Sequence, residues 1–364
     1  MRVVICNNMV TPYTNRLFND LVDRGIELHV LSCTLRETNR KWSGDYAKKY
    51  DHVVLTGFEY VLNGPTRVIH FNPGLWRALG HFKPELITIN GIYPTMLVAV
   101  LWSLVHRIPM ALLTDGWRLT MPQSIFHRVV RPFVVGRCRA IICTSEKGRQ
   151  FFLEEGIDPK RIFVAHLAPA WYAPAELPDF DNRPYHLLWC GRFDDPFKNP
   201  SFFVDLALQL KRCLIDLRIR VIGDGPLLHQ FLNDLSRAGV NFDHTAYVPP
   251  EEIAKVFVSA RMLVMPSIVE AWGLVCNEAM QCGTPCLVSP NTGVANELVV
   301  HGQSGFVLNL DVKQWTDAIA RTVTNRASWT ALSNAAVQSA ARYDSRSASK
   351  KYLEGFIFAA RGSS

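Results

Sequence analysis

The chain has no Cys-x-x-Cys pair and no even, closely spaced set of cysteines. Its nine cysteines, Cys6, Cys33, Cys138, Cys143, Cys190, Cys213, Cys276, Cys282 and Cys286, are scattered through apolar contexts. That excludes a disulfide scaffold and a structural zinc site, and it points to a reducing compartment with most thiols as small core residues. Long apolar runs are missing as well. The longest, Met96 to Val105, is about half of what a membrane span requires and reads as a buried helix. The opening Met1-Arg2-Val3-Val4-Ile5-Cys6 gives way to Asn7-Asn8, so it reads as a short strand and not as a secretory leader; the expected location is cytoplasmic. Asp-x-Asp occurs once, as Asp179-Phe180-Asp181 in a proline-containing stretch that follows no strand. A solvated linker is the expectation there, and no metal or other cofactor is expected.

What is present is an ordinary globular composition, 48% hydrophobic and 20% charged over 364 residues, long enough for two domains. The net charge of +7 is unevenly spread: residues 1–170 hold 21 Lys and Arg against 13 Asp and Glu, and the remainder 18 against 19. The densest part runs from Arg107 to Arg149, where Arg128, Arg131, Arg137 and Arg139 are interleaved with Phe126, Val129, Val130, Phe133 and Val134. Two readings stay open for that helix: a basic, apolar face that lies on an anionic membrane, or a solvated face beside a buried one. No nucleic-acid partner is expected.

Short apolar strands alternate with helical stretches in both halves. The first half offers Val3 to Cys6, Glu27 to Ser32, His52 to Thr56, Leu86 to Ile89, Met110 to Thr114 and Ala140 to Thr144. The second offers His186 to Cys190, Arg218 to Ile222, Met262 to Met265, Pro285 to Ser289 and Gly305 to Leu308. Alternation of this kind implies α/β architecture with parallel, doubly wound sheets. Ala168 to Pro178 holds three prolines and marks the boundary, giving domains 1–170 and 171–345.

The most informative segment is PSIVEAWGLVCNEAMQCGTPCL. Glu270 stands in the loop after the strand Met262 to Met265, and Glu278 falls inside the helix that starts near Gly273. One carboxylate from a loop and one from a helix then face the same crevice. Between them the N–H groups of Gly273, Leu274 and Val275 form a helix N-terminus, a ready anion site. Carboxylates accept hydrogen bonds from hydroxyls and helix N-termini hold phosphates, so the combination suits a ligand that carries both, such as a nucleotide sugar.

This segment, followed by TGVANELVVHGQSGFVL, resembles the retaining glycosyltransferases of the GT-B fold, family 4 type (glycosyl transferases group 1), and the likeness covers roughly Tyr185 to Gly305. The resemblance implies two Rossmann-like domains with a cleft between them, with the donor on the second and the acceptor on the first. It implies contact of Glu270 with the donor sugar and of Glu278 with the ribose. Departures are Trp272 where phenylalanine is usual and Thr292-Gly293 where two glycines are usual. The final helix, 346–364, is expected to pack back on the first domain, as in similar transferases.

Ligands of doubly wound sheets bind at the carboxyl ends of the strands. There Gly191-Arg192-Phe193-Asp194-Asp195-Pro196-Phe197-Lys198-Asn199 is similar to the family's G-R-x…K-G element, in which Arg192 and Lys198 would clamp the donor diphosphate and stabilise leaving-group charge. Asn199 replaces a common glycine. Gly223, in Ile222-Gly223-Asp224-Gly225-Pro226, matches the family's G-x-G-P turn and permits close backbone approach, and the resemblance places Val248 in the stretch whose backbone meets the base in the family. In the first half Asn7-Asn8 replaces a frequent glycine pair, with asparagine's tolerance of left-handed backbone offered as the reason the turn survives. Asn8, Tyr13 and Arg16 are acceptor candidates; for Arg16 a place on the helix surface is the plainer reading. Family members often carry a histidine after the strand equivalent to Met110–Thr114; this chain has Asp115, either a carboxylate near the anomeric carbon or a cap of the next helix.

The expected function is transfer of a hexose, with retention, from a UDP- or GDP-sugar to a hydroxyl of a glycan or lipid-linked glycan in bacterial-type polysaccharide or glycolipid biosynthesis, either free in the cytoplasm or from a peripheral position at the inner face of the membrane. A sugar-nucleotide epimerase or hydrolase of the same fold and a non-catalytic nucleotide-sugar-binding subunit are the alternatives.

Overall fold

A computed structural model describes residues 1–37, 46–61, 68–193, 196–214 and 216–361. Contacts divide the chain into one unit of Met1–Ala170 with Ser345–Ser364 and a second of Trp171–Asp344.

The first unit runs β1 (Arg2–Asn7), α1 (Pro12–Asp23), β2 (Glu27–Ser32), β3 (Asp51–Val54), β4 (Phe58–Val61), β5 (Val68–Phe71), α2 (Leu75–Phe82), β6 (Leu86–Asn90), α3 (Pro94–His106), β7 (Met110–Thr114), α4 (Ile125–Arg137), β8 (Ala140–Cys143), α5 (Glu146–Glu154) and β9 (Ile162–Val164). Seven of these strands form a parallel sheet in the order β3-β2-β1-β6-β7-β8-β9. Its inner strands β6, β7 and β8 are almost wholly apolar because helices cover both faces, whereas the edge strand β3 is largely exposed. Side-chain alternation sorts them: Val3 and Ile5 pack with Leu17, Phe18 and Leu21 of α1, while Val4 and Cys6 face the core shared with α2 to α5.

The second unit runs β10 (Tyr185–Cys190), α6 (Pro200–Cys213), β11 (Arg218–Ile222), α7 (Leu228–Arg237), β12 (Asn241–Thr245), α8 (Ile253–Phe257), β13 (Ala260–Met265), α9 (Leu274–Gln281), β14 (Cys286–Val288), β15 (Gly305–Val307), α10 (Val312–Val323) and α11 (Arg326–Ala340). Its parallel sheet has the order β12-β11-β10-β13-β14-β15. Both units are doubly wound, so the expected fold class holds. The strand order reverses between β1 and β6 in one sheet and between β10 and β13 in the other, and such switch points are where this architecture opens a crevice.

The last helix, α12 (Ser345–Arg361), belongs to the first unit, where Tyr352 and Phe356 join the α1 core and Arg24 Nε donates to Ser349 Oγ at 2.8 Å. Burial of a side chain like Phe356 contributes about 1.5 to 3 kcal/mol. Among the described residues no helix is long and apolar enough to cross a membrane.

Three elements differ from expectation. The antiparallel pair β4–β5, the short β9 and the edge strand β12 were not foreseen. β12 reads Asn241-Phe242-Asp243-His244-Thr245, and a strand paired on one side only needs little apolar sequence.

α4 is a further correction. Arg131 is buried, donates to the Pro122 carbonyl and lies 5.5 Å from the Phe151 ring. Arg137 donates to the carbonyls of Ser103 at 3.2 Å and Ile108 at 3.0 Å, closing the end of α3. Arg139, past the end of α4, donates to the Ala359 carbonyl at 3.2 Å. Of the three arginines within α4, Arg128 alone is exposed, and Arg139 is exposed beyond the helix; the guanidinium donors of Arg131, Arg137 and Arg139 are drawn to nearby backbone carbonyls. The four-arginine face does not exist as read from sequence.

Candidate active site

In the second unit the loops after β10, β11 and β13 are stitched together. The Gly191 N–H donates to the Ile222 carbonyl at 3.0 Å, Phe193 N–H to Asp224 at 2.9 Å, and Leu227 N–H to Phe193 at 2.9 Å. Gly223 has φ of +143°, and a Cβ built there would lie 1.8 Å from the Gly191 carbonyl oxygen, so no other residue fits. Asp194 and Asp195 lie outside the described residues. Arg192 is half-buried beside Gly191, and Val248 lies in irregular backbone after β12.

Lys198 ends a short 3-10 turn, and its Nζ pairs with Glu270 Oε2. Their side chains are 24% and 18% exposed, so solvent still reaches both. The Ile268 N–H donates to the Phe197 carbonyl at 2.7 Å, fixing the lysine loop to the glutamate loop. Asn199, at φ +60° and ψ +54°, holds the left-handed conformation that glycine adopts without strain; asparagine tolerates it, and Pro200 then opens α6.

Glu270 is held through its backbone: its N–H donates to Asn291 at 3.0 Å and its carbonyl accepts from Gly293 N–H at 3.1 Å. A Cβ at Gly293 would meet the Ala271 carbonyl oxygen at 2.2 Å, whereas buried Thr292 bonds the Ser289 carbonyl at 3.0 Å; this is why one glycine is kept and the other is replaceable. Trp272 is buried beside Tyr343, ring centroids 5.9 Å apart, so the exchange for phenylalanine concerns packing. Gly273, at φ +109°, caps α9, whose first turn begins with Leu274 and Val275. First-turn N–H groups have no intrahelical partner.

Glu278 is the fifth residue of α9. Trp171 Nε1 donates to its Oε1 at 3.2 Å. Burial pushes its carboxyl up to about 7, and the tryptophan bond offsets part of that rise. Cys190, the last residue of β10, has its thiol pushed up to about 12, first by burial, then by Glu278, against a smaller opposing effect of Lys198. One side chain therefore senses both Glu278 and Lys198. Within this unit Lys198, Glu270, Glu278 and the start of α9 converge at the carboxyl ends of the central strands.

The single Asp-x-Asp is engaged locally. Asp179 Oδ1 accepts from Asn182 Nδ2 at 2.8 Å, and Asp181 pairs with Arg326.

In the first unit the loop after β1 is organised by side chains. Asn7 Nδ2 donates to the Met9 carbonyl at 2.9 Å, Ser32 Oγ donates to Asn7 Oδ1 at 2.9 Å, and Asn8 Nδ2 donates to Glu37 Oε1 at 2.6 Å. Neither Asn7 nor Asn8 has positive φ, so the left-handed argument for this turn is wrong; amide hydrogen bonding explains the residue type. His70 Nε2 is 4.0 Å from Glu37, and burial lowers the pKa of this histidine. Sequence reasoning missed Glu37, His70 and Trp171, which reach their partners only through the tertiary fold. Arg16 Nη1 donates to the Pro169 carbonyl at 3.3 Å, an anchoring role for the end of the unit. Asp115 does not cap α4, whose N-cap is Ser124. It is exposed, and with Tyr13 it adds to the upward push that burial gives the Tyr352 hydroxyl.

Comparison with known proteins follows the same division. A family model described as Glycosyl transferase 4-like domain matches residues 10–168, and one described as Glycosyl transferases group 1 matches 184–325. A D-inositol 3-phosphate glycosyltransferase of Pseudarthrobacter chlorophenolicus is 31% identical over 207 residues, 53% of this chain and 48% of that protein. Its counterpart in Paenarthrobacter aurescens is 32% identical over 205 residues, 51% of this chain and 49% of that one. The chain spans about half the length of these curated relatives. Among solved structures, Anabaena Alr3699/HepE with UDP and glucose aligns at a TM-score of 0.72 and 15% identity, covering 97% of this chain and 98% of that one. TarM aligns at 0.75 and 11%, covering 98% of each. WaaG, a glycosyltransferase involved in lipopolysaccharide biosynthesis, aligns at 0.70 and 15%, covering 97% and 99%. At these identities the likeness shows the fold, which is GT-B.

Proposed function

From a chain that carries the two glycosyltransferase domains in succession on a GT-B fold, we propose an enzyme that transfers a hexose, with retention, from a nucleoside diphosphate sugar to a hydroxyl of a glycan or lipid-linked glycan. The observation that carries this reading is the pairing of Lys198 with Glu270 beside the β10–β13 switch point, just ahead of the N-terminus of α9, the helix that holds Glu278. The carboxylate of Glu278 accepts hydrogen bonds from the ribose hydroxyls. The helix N-terminus with Arg192 and Lys198 neutralises the diphosphate, and no metal has a part in this reading. Glu270 meets the sugar. Departure of the diphosphate places charge on its oxygens, which take the acceptor's proton while fixed cations stabilise them; the protein positions and does not form a covalent bond. The complexes of the Anabaena protein with UDP and with UDP-glucose favour a uridine donor. A thermal-shift panel of UDP- and GDP-sugars tests the reading, since a ligand at a hundred times its Kd adds about 2.7 kcal/mol of stability. A flat response to every nucleotide overturns it.

The pKa of Glu278 supplies a sharper expectation. Hydroxyl donors favour the ionised carboxylate, so donor binding competes with protonation and strengthens as pH rises through about 7. Between about pH 8 and pH 6 the Kd for UDP is expected to weaken by about tenfold, as the protonated fraction grows. Stability without ligand runs the opposite way. The carboxyl's folded pKa lies above its unfolded value, so its contribution is full below about 4.5 and is lost as pH climbs through about 7. Glu278→Gln is expected to flatten both profiles, read by calorimetric titration and by thermal melts across pH. A Kd for the wild type that does not change with pH would contradict the assigned ribose contact.

A further inference from the structure

We propose that the first unit docks on an anionic phospholipid bilayer through the exposed face of α4, extended by α3 and by a basic groove at the end of α4. This proposal is independent of the glycosyl-transfer reading.

A helix in water ordinarily turns charged side chains outward. α4 does the reverse. Its buried side holds Arg131, Val134 and Val135, while Ile125 is 80%, Val129 71% and Phe133 55% exposed. Ile125, Val129, Pro132 and Gly136 follow one another at helical spacing along a single ridge, with Phe126 and Phe133 on one flank and Arg128 on the other. α3 adds exposed Leu101, Leu104 and Val105. The two helices follow consecutive strands, β6 and β7, and the bonds from Arg137 to the carbonyls of Ser103 and Ile108 join their ends. Exposed apolar side chains in this number on two helices of one unit mark an interaction surface.

The charge around it selects the occupant. The ridge of α4 ends at Gly136, which lines a groove of about 1130 Å³. Arg139, Lys160, Arg161 and Arg361 stand in that groove against two carboxylates, Asp158 and Glu354. Both carboxylates have local work: Asp158 accepts from the Lys160 N–H at 2.9 Å and Glu354 pairs with Lys351 at 2.8 Å. Arg161 is half-buried and bonds to the Val135 carbonyl; Arg139, Lys160 and Arg361 are exposed, and of these Lys160 and Arg361 are the two that the test below reverses. The unit as a whole holds 25 Lys and Arg against 14 Asp and Glu, whereas the second unit holds 14 against 18. A second copy of a unit with this excess is repelled. An anionic bilayer takes the apolar ridge into its interface and places lipid phosphates against the basic groove.

The test is co-sedimentation of the full chain with phosphatidylcholine vesicles made with and without phosphatidylglycerol, at low and high salt. The wild type is expected to pellet with the anionic vesicles at low salt and to be partly released by high salt. The triple variant Ile125→Ser/Val129→Ser/Phe133→Ser should lose partitioning by at least about tenfold at either salt, since each large apolar group contributes to insertion. Lys160→Glu/Arg361→Glu should reduce binding to anionic vesicles to the level seen with neutral ones. All five positions are exposed, and circular dichroism verifies the fold of each variant. A wild type that stays in the supernatant with both vesicles, or variants that sediment like the wild type, overturns the proposal. So does a concentration-dependent dimer, seen by sedimentation equilibrium, that the triple variant dissolves, because that result gives the face to a second copy.

Discussion

Replacing Glu270 by alanine is expected to lower the rate of transfer by hundreds- to a thousand-fold while the protein stays folded. Loss of a group that meets charge in the transition state costs about 3 to 4 kcal/mol, and that is the rate factor it corresponds to. The fold should survive because Glu270 is held by its backbone: the bonds to Asn291 and Gly293 do not involve the carboxylate. A partly exposed ion pair contributes about 1 kcal/mol or less to stability. Lys198→Ala should be of similar size, and the two should not add. With Lys198 gone, Glu270 keeps its charge beside the place assigned to an anionic diphosphate and repels it; with both gone, that repulsion disappears. The double variant is therefore expected to be scarcely worse than the worse single one, a coupling of 1 kcal/mol or more in a cycle of kcat/KM values. Soluble single variants that transfer at near the wild-type rate would remove both residues from the site.

The pairing itself bears on how a donor enters. Without ligand the lysine and glutamate satisfy each other. A donor that brings phosphate to one and sugar hydroxyls to the other exchanges one set of hydrogen bonds for two, so neither side chain is left buried and uncompensated.

Much of this site was legible in the chain, and the reason is local. Glu270, Gly273 and Glu278 lie within a single loop and helix, so their spacing alone fixes one carboxylate before the helix N-terminus and one inside it. Lys198 was legible because it follows a strand, though its contact with Glu270, 72 residues on, was not. The contacts that escaped are made by the fold: Trp171 meets Glu278 across 107 residues and Asn8 meets Glu37 across 29, and no local pattern announces either. The arginines of α4 misled because composition tells neither which way a guanidinium turns nor which carbonyls wait for it. Of the apolar residues read together with them, Phe126, Val129 and Phe133 face outward while Val134 is buried, a division composition does not show. β12 escaped for another reason, since an edge strand with polar alternate residues carries little of the apolar signal that marks β10 or β13.

Arg183→Met should be the most destabilising single change in the second unit. This arginine is fully buried, and burial pulls its pKa down to about 10, so it is still a cation at neutral pH. It is tolerated because four of its five N–H donors are satisfied: Nε on the Pro178 carbonyl at 3.1 Å, Nη1 on the Ala260 carbonyl at 2.9 Å and Thr284 Oγ1 at 2.7 Å, Nη2 on the Cys282 carbonyl at 2.8 Å, with the guanidinium 4.8 Å from the Trp329 ring. Ala260 begins β13, which leads to Glu270, and Cys282 follows the last turn of α9, which carries Glu278. One side chain thus ties together the start of β13 and the end of α9, the ends opposite to those that meet at the Glu270 loop. Methionine fills most of the volume and leaves the acceptors without donors, a loss of about 3 to 5 kcal/mol. For a unit of this size that lowers its melting temperature by on the order of 10 °C. Arg183→Lys keeps the charge and cannot reach all four acceptors, so it should fall between the two. Because Arg183 touches no assigned ligand contact, the transfer rate per folded molecule well below the transition should stay within about twofold of wild type. A melting temperature unchanged in Arg183→Met would show that this network does not hold β13 and α9 together.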